Sequence, residues 1–125
     1  MTAWTSDELT KIGTAEELEI ASLRGDGTLR APVIIWVVRV GDDLYVRAVK
    51  GRCGPWFRGV LTCHEGRIQA GGVDKEVTFV ESADAGIHER IDAAYRSKYG
   101  HYPAEWVDPT ITPAAREATI KLVPR

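Results

Sequence analysis

The chain lacks most of the features that announce a chemistry. It has two cysteines, Cys53 and Cys63, in 125 residues and no Cys-x-x-Cys pair. That removes the common zinc and dithiol signatures, and two isolated cysteines are expected to be free thiols. The three histidines, His64, His88 and His101, are scattered. Cys63 and His64 are neighbours, but adjacent residues of a strand point to opposite faces, so they do not read as a thiol–base pair. There is no G-x-S-x-G elbow, no Walker loop and no G-x-G-x-x-G, so the usual acyl-transfer and nucleotide fingerprints are missing. No apolar run approaches the roughly 20 residues that span a bilayer. The first residues show no basic stretch followed by an apolar one, so a signal peptide is not expected and the protein is assigned to the cytoplasm.

Charge of one sign is missing too. Sixteen Lys and Arg nearly balance eighteen Asp and Glu. A general nucleic-acid binder needs a basic surplus, because phosphates must be neutralised, so that class is disfavoured. The length suits a single domain over residues 1–125, with no internal repeat or low-complexity tract, and is enough to enclose a core.

What is present centres on residues 33–58. Residues 33–40 are almost wholly apolar and mostly β-branched, 41–43 supply turn chemistry, and 44–49 resume a strand pattern. Parity places Ile34, Trp36, Val38 and Val40 on one face of the first strand, and Val33, Ile35, Val37 and Arg39 on the other. A strand apolar on both faces is expected to be covered on both, by a helix or by another subunit. Arg39 and Arg47 are expected to approach one another across the hairpin and to want an anionic neighbour.

Around this hairpin the pattern predicts a short helix over 4–12, capped by Ser6, with Trp4 packed against it. Residues 17–23 read as a strand, although Ala15-Glu16-Glu17-Leu18 is also compatible with a continuing helix; a turn follows at Gly25-Asp26-Gly27, and one or two helical turns lie at 56–61. Glu65-Gly66 reads as a turn, and strands are expected at 67–70 and 76–80 on either side of Gly71-Gly72. The strongest helix lies at 85–99, capped by Ser82 or Asp84, with an apolar stripe of Ile87, Ile91, Ala94 and Tyr95. Asp92 and Arg96 stand four apart in the favourable order, and Gly100 reads as the C′ residue. Tyr95, Tyr99, Tyr102 and Trp106 form an aromatic cluster that could line a substrate pocket, with Tyr95 placed among the core residues. Pro103, Pro109 and Pro113 enforce irregular backbone, and 118–123 alternate as a closing strand. Many short strands with close turn signals indicate a mainly β, α+β fold: a small antiparallel barrel or sandwich with a helix packed on it.

The residues with chemistry are the cations near the hairpin: Arg30, Arg39, Arg47, Lys50, Arg52 and Arg58. Guanidinium groups donate bidentate hydrogen bonds to phosphate. Gly51, Gly54 and Gly59 allow backbone N–H groups to approach an anion, and Trp56 can stack on a ring. Together these parts fit a phosphorylated planar cofactor.

The run Gly27-Thr28-Leu29-Arg30-Ala31-Pro32, the hairpin IIWVVRVGDDLYVRAVKG and the segment GPWFRGV resemble the flavin-binding split-barrel superfamily. That group includes pyridoxamine-phosphate-oxidase-like proteins and deazaflavin-dependent nitroreductases. The whole chain is similar to the bacterial domain-of-unknown-function family 2255. The resemblance is carried by Trp36-Val37-Val38, Leu44-Tyr45-Val46-Arg47, Trp56, Val77-Thr78-Phe79 and the run from Ile91 to Gly100, IDAAYRSKYG. It implies a six-stranded split barrel, a homodimer, and FMN or a deazaflavin in a groove at the dimer interface, serving a reductase. Position by position it points to Arg30, Arg47, Lys50, Trp56 and Arg58 as cofactor contacts. Where the nitroreductases have a basic, serine-containing phosphate loop, this chain has Gly25-Asp26-Gly27-Thr28. That departure favours an alternative: a small-ligand-binding module or dimeric scaffold that has lost the cofactor.

Overall fold

A computed structural model describes residues 3–81 and 85–125. The first helix, α1 (Ser6–Thr14), is followed by β1 (Leu18–Ser22), β2 (Val33–Ile35), β3 (Val38–Val40) and β4 (Asp43–Arg47). Then come α2 (Pro55–Thr62), β5 (Glu65–Ala70), β6 (Val73–Glu81), α3 (Ala85–Tyr99), two short helices α4 (Ala104–Val107) and α5 (Pro113–Glu117), and β7 (Thr119–Pro124).

The strands form one antiparallel sheet in the order β2-β1-β5-β6-β7-β4-β3. Its two edge strands, β2 and β3, are successive in the chain and separated only by Trp36 and Val37. Three residues of extended chain reach only ~10 Å, so the two edges must meet. The sheet curls until one segment, 33–40, belongs to both of its ends. This is a split barrel. Its seven strands come from six extended segments, because the single strand expected at 33–40 is shared between the edges.

The barrel interior holds Leu18, Ile20, Val37, Leu44, Val46, Ile68, Val77, Phe79, Ile120 and Leu122, all essentially inaccessible. Each comes from the inward parity of its strand, as the alternation requires. Helix α1 adds Leu9 and Ile12 to the same core. Trp4 is buried, and its Nε1–H donates to the Leu122 carbonyl at 2.9 Å. The cap of α1 is Thr5 rather than Ser6: the Thr5 hydroxyl accepts from the Glu8 N–H while the Glu8 carboxylate accepts from the Thr5 N–H, a capping box.

A second apolar layer lies outside the barrel. Val38, Val40 and Tyr45 face Ile91, Tyr95 and Tyr99 of α3, with Val107 alongside. The cover expected over the doubly apolar segment is therefore α3 along β3, whereas Val33 and Ile34 of β2 stay 38% and 60% exposed. The predicted caps of α3, Ser82 and Asp84, lie outside the described residues.

Several local expectations give way to packing. Glu65-Gly66 is strand, not turn, and Gly66 is there because a Cβ would run into the Ala21 carbonyl and the Phe79 ring. The turn after β5 is Gly71-Gly72, both at positive φ. Gly100 does not adopt positive φ; a Cβ there would meet the Arg96 carbonyl. The three prolines begin helical turns instead of preventing them: Pro103 precedes α4, Pro109 opens a 3₁₀ turn and Pro113 opens α5. Arg39 pairs across from Leu44 and Val38 across from Tyr45, so Arg39 and Arg47 sit on opposite faces and do not meet.

The seam at Trp36 and Val37 has no ladder partners of its own. Val37 N–H donates to the Tyr99 hydroxyl at 3.2 Å, and that hydroxyl donates to the Glu16 carbonyl at 2.7 Å. Lys98 Nζ donates to the Val37 carbonyl at 2.7 Å. Side chains of α3 thus satisfy the backbone groups that the sheet leaves bare. Tyr99→Phe is expected to destabilise the fold by roughly 1–3 kcal/mol in chemical denaturation, because a buried N–H loses its acceptor. Tyr102→Phe, at an outer tyrosine, is expected to stay within about 0.5 kcal/mol. Burial pushes the Tyr95 and Tyr99 phenols above their ordinary 10.0. Their contribution is therefore complete below pH 10 and is lost as pH rises beyond it, which a series of thermal melts at alkaline pH will show.

Candidate functional site

The sheet edge and α2 together build the first cavity. Arg30 follows the Gly25-Asp26-Gly27 turn, and its N–H donates to the Ser22 carbonyl at 2.9 Å. This lays the Arg30 side chain across α2 at Gly59. A Cβ at Gly59 would stand 2.6 Å from the Ser22 hydroxyl oxygen and 3.1 Å from Arg30 Cδ and Nε, so only glycine lets the arginine lie that close. The result is a cavity of about 240 Å³ lined by Ser22, Arg24, Arg30, Val33, Pro55 and Trp56, among others. Arg30 Nε is buried against Gly59 and has no hydrogen-bond partner. A buried donor without an acceptor costs about 1–3 kcal/mol, so this atom asks for an anion or a polar ligand.

Pro55 starts α2 at its first turn, where a missing N–H costs nothing, and Trp56 follows it on the cavity wall. Gly51 takes positive φ in the preceding turn and packs against Ala114 of α5. Lys50 and Arg58 are exposed, and neither lines this cavity. Arg52, one of the cations near the hairpin, is engaged elsewhere, by Glu81 at 2.7 Å and by the Glu117 carbonyl at 3.0 Å.

Arg47 occupies a different place. Its side chain is fully buried, and every guanidinium nitrogen has an internal partner. Nε donates to the Thr119 hydroxyl at 3.0 Å; Nη1 donates to Asp92 and to the Thr110 carbonyl; Nη2 donates to the His88 carbonyl at 3.3 Å, with His88 Nδ1 equally near. The expectation that Arg47 offers its donors to a phosphate gives way to this arrangement, because none of its nitrogens is left over. Asp92 does not pair with Arg96, as the spacing suggested, but bridges Arg47 and Arg116. It lies on the buried face of α3, beside Ile91. Burial acts to raise its carboxyl, but hydrogen bonds from Arg116 and Arg47 outweigh it and hold the group below the ordinary carboxylate value of 3.8.

Asp26 accepts from the N–H and the hydroxyl of Thr28 at 3.0 and 2.7 Å, so its carboxylate closes its own turn. The aromatic cluster does assemble, and it includes Trp36, which sequence spacing left outside it. Trp36 stacks on Tyr99 with centroids 3.9 Å apart and planes within 2°, and Tyr102 stands 5.3 Å from Trp36 and 5.5 Å from Trp106. The signal that could have found this was the even parity of Trp36, which it shares with Val38 and Val40. Among the described residues no cluster of His, Cys, Asp and Glu could hold a metal, and no helix is long and apolar enough to cross a membrane.

A curled antiparallel sheet whose two edges are supplied by one segment, with helices packed on it, defines a split-barrel protein. The same architecture appears in a candidate pyridoxamine 5′-phosphate oxidase of Listeria innocua, at TM-score 0.66 and 18% identity over 94% of this chain and 90% of that one. It appears in the heme storage protein HutZ of Vibrio cholerae, at 0.67 and 12% over 96% and 89%, and in an F420 reductase, at 0.56 and 14% over 94% and 90%. A search of curated proteins gives no match. By sequence, residues 8–122 match the bacterial family DUF2255, described as uncharacterized protein conserved in bacteria, and the chain belongs to that family.

The bridging carboxylate makes a direct test of the buried charges. Asp92→Asn leaves Arg47 charged and unpaired, and should cost roughly 3–5 kcal/mol in denaturant unfolding. In the wild type the stabilisation from Asp92 is present above pH 3.8 and is lost as the pH falls further. Acid unfolding should therefore be less steep in the variant.

Proposed function

We propose that this protein binds a phosphorylated flavin-type ring, FMN or a deazaflavin, and acts as a homodimeric reductase on a small molecule. The observation that carries this reading is Arg30, which lines a cavity walled by Trp56 and whose buried Nε has no partner in the protein. A phosphate in the cavity would be held by the charge of the Arg30 guanidinium, and Arg24, also at the cavity, adds a second positive charge. Trp56 would face the ring, and Lys50 and Arg58 would raise the potential around the site from outside it. When bound, such a cofactor accepts and delivers hydride; the protein holds it, orients it and excludes water. That division of labour needs no protein nucleophile.

Size supports the dimer. A cavity of about 240 Å³ is smaller than the roughly 300–1,000 Å³ of typical ligand sites. Val33, 38% exposed, lines this cavity, and Leu29, 40% exposed, precedes Arg30 in the chain. A second copy packed there would both cover them and complete the site. The fold shared with an F420 reductase is consistent with this reading.

A second reading has its own observation. Asp26 occupies the turn before Arg30 and stays charged, since hydrogen bonds from Thr28 hold its carboxyl below 3.8. That turn suits a module that kept the barrel and gave up the phosphate.

Absorbance spectra and thermal melts with FMN and with a phosphorylated deazaflavin separate the two. Binding to the folded state alone should stabilise by about 2.7 kcal/mol at a hundredfold excess over Kd. Arg30→Ala should abolish the shift, and Trp56→Ala should weaken it. A colourless protein indifferent to both compounds overturns the reductase reading and leaves the module.

A further inference from the structure

Trp56 also borders a second cavity, of about 200 Å³, whose walls include Trp36, Trp56 and Trp106, with Ile34 and Val49 beside them. Three of the four tryptophans of the chain converge here. Three members of the wall are strongly exposed although apolar: Ile34 at 60%, Trp106 at 54% and Val49 at 51%. Concentrated apolar exposure of this kind marks a contact site.

The cavity differs chemically from the arginine niche. Among the described residues Arg47 is the only charged one on its wall, and its side chain has no exposed surface, being bound to Asp92 behind the wall. The hydroxyl of Thr110, another wall residue, donates to the Val107 carbonyl at 2.6 Å. No charge opens into the space. Two of the three indoles rest against tyrosines. Trp36 is clamped on Tyr99, and Tyr102 lies beside both Trp36 and Trp106. Rigid aromatic walls lose little entropy when a flat ligand enters.

We infer that this cavity binds a neutral, flat aromatic molecule of one or two fused rings, held against the indoles. The apolar wall suits a small uncharged co-substrate rather than a phosphorylated one. The absence of an open cation selects against anionic rings, since a carboxylate entering the cavity would be desolvated without a partner. Trp56 then separates two environments, one built for an anion and one for an uncharged ring.

The inference is tested on the full chain without added cofactor, so its outcome is independent of flavin binding. The protein is titrated calorimetrically with 2-naphthol, uncharged at neutral pH, and with 2-naphthoate, the same ring bearing a carboxylate. Saturable one-to-one binding of 2-naphthol is expected, with 2-naphthoate weaker by about ten-fold or more, a difference of about 1.4 kcal/mol. Trp106→Ala and Val49→Glu, both at exposed positions, should each weaken 2-naphthol by about ten-fold or more while leaving the melting temperature of the free protein unchanged. Light scattering is run on wild type and Val49→Glu, and the same mass is expected for both. No saturable heat with 2-naphthol, or equal affinity for the two rings, overturns the inference. A fall in mass in Val49→Glu also overturns it, because the cavity would then be covered by a second copy of the chain.

Discussion

Everything in this fold depends on one segment serving both ends of a sheet. Residues 33–40 pair with β1 through their first half and with β4 through their second, and the two residues between give up ladder bonding to make the crossing. The cost falls on the Val37 backbone, whose N–H and C=O point away from any strand. Tyr99 and Lys98, neighbours at the end of α3, satisfy both groups. The helix is therefore more than an apolar cover, since it closes the hydrogen-bond account of the barrel seam. Burial pushes Lys98 down to about 8, which is the cost of placing an ammonium at this junction. Its hydrogen bond to the Val37 carbonyl is what that position gains.

A second constraint fixes the opposite flank. Arg47 projects outward from β4 into a space closed by α3 and by the segment from Thr110 to Thr119. An unpaired guanidinium there would be prohibitively desolvated. Asp92 supplies the counter-charge, Thr119 and the carbonyls of Thr110 and His88 take the remaining donors, and Arg116 secures Asp92 from the solvent side. This network ties strand, helix and C-terminal segment to one point.

The functional reading grows from the contrast between two arginines of the same sequence neighbourhood. Arg47 is saturated and belongs to the framework. Arg30 is buried at Nε where it lies against Gly59 of α2, and it lacks an acceptor. Trp56 stands at the border of that niche and of the tryptophan-lined cavity. One residue thereby touches both an anion-favouring space and a neutral one, an arrangement suited to a ligand with a charged end and to a partner without charge.

Much of this was legible in the residues themselves. The alternation of Val77 and Phe79, and of Ile120 and Leu122, set which faces point inward, and the stripe from Ile87 to Tyr95 set the helix bounds, because burial on one side imposes a period that the sequence must display. The candidate cations were legible as a group, but their separate fates were not. Spacing alone paired Asp92 with Arg96 along one helix and Arg39 with Arg47 across one hairpin, since it sees only local neighbours. The sequence by itself determined the strands, the main helix and the membership of the family. Only the tertiary structure decided that segment 33–40 is divided between two sheet edges, that Arg47 is spent on Asp92 while Arg30 is left wanting, and that Trp36, Trp56 and Trp106 meet. Each of these is a long-range contact. Which polar group finds a partner depends on what the closed barrel brings beside it, and no local pattern carries that information.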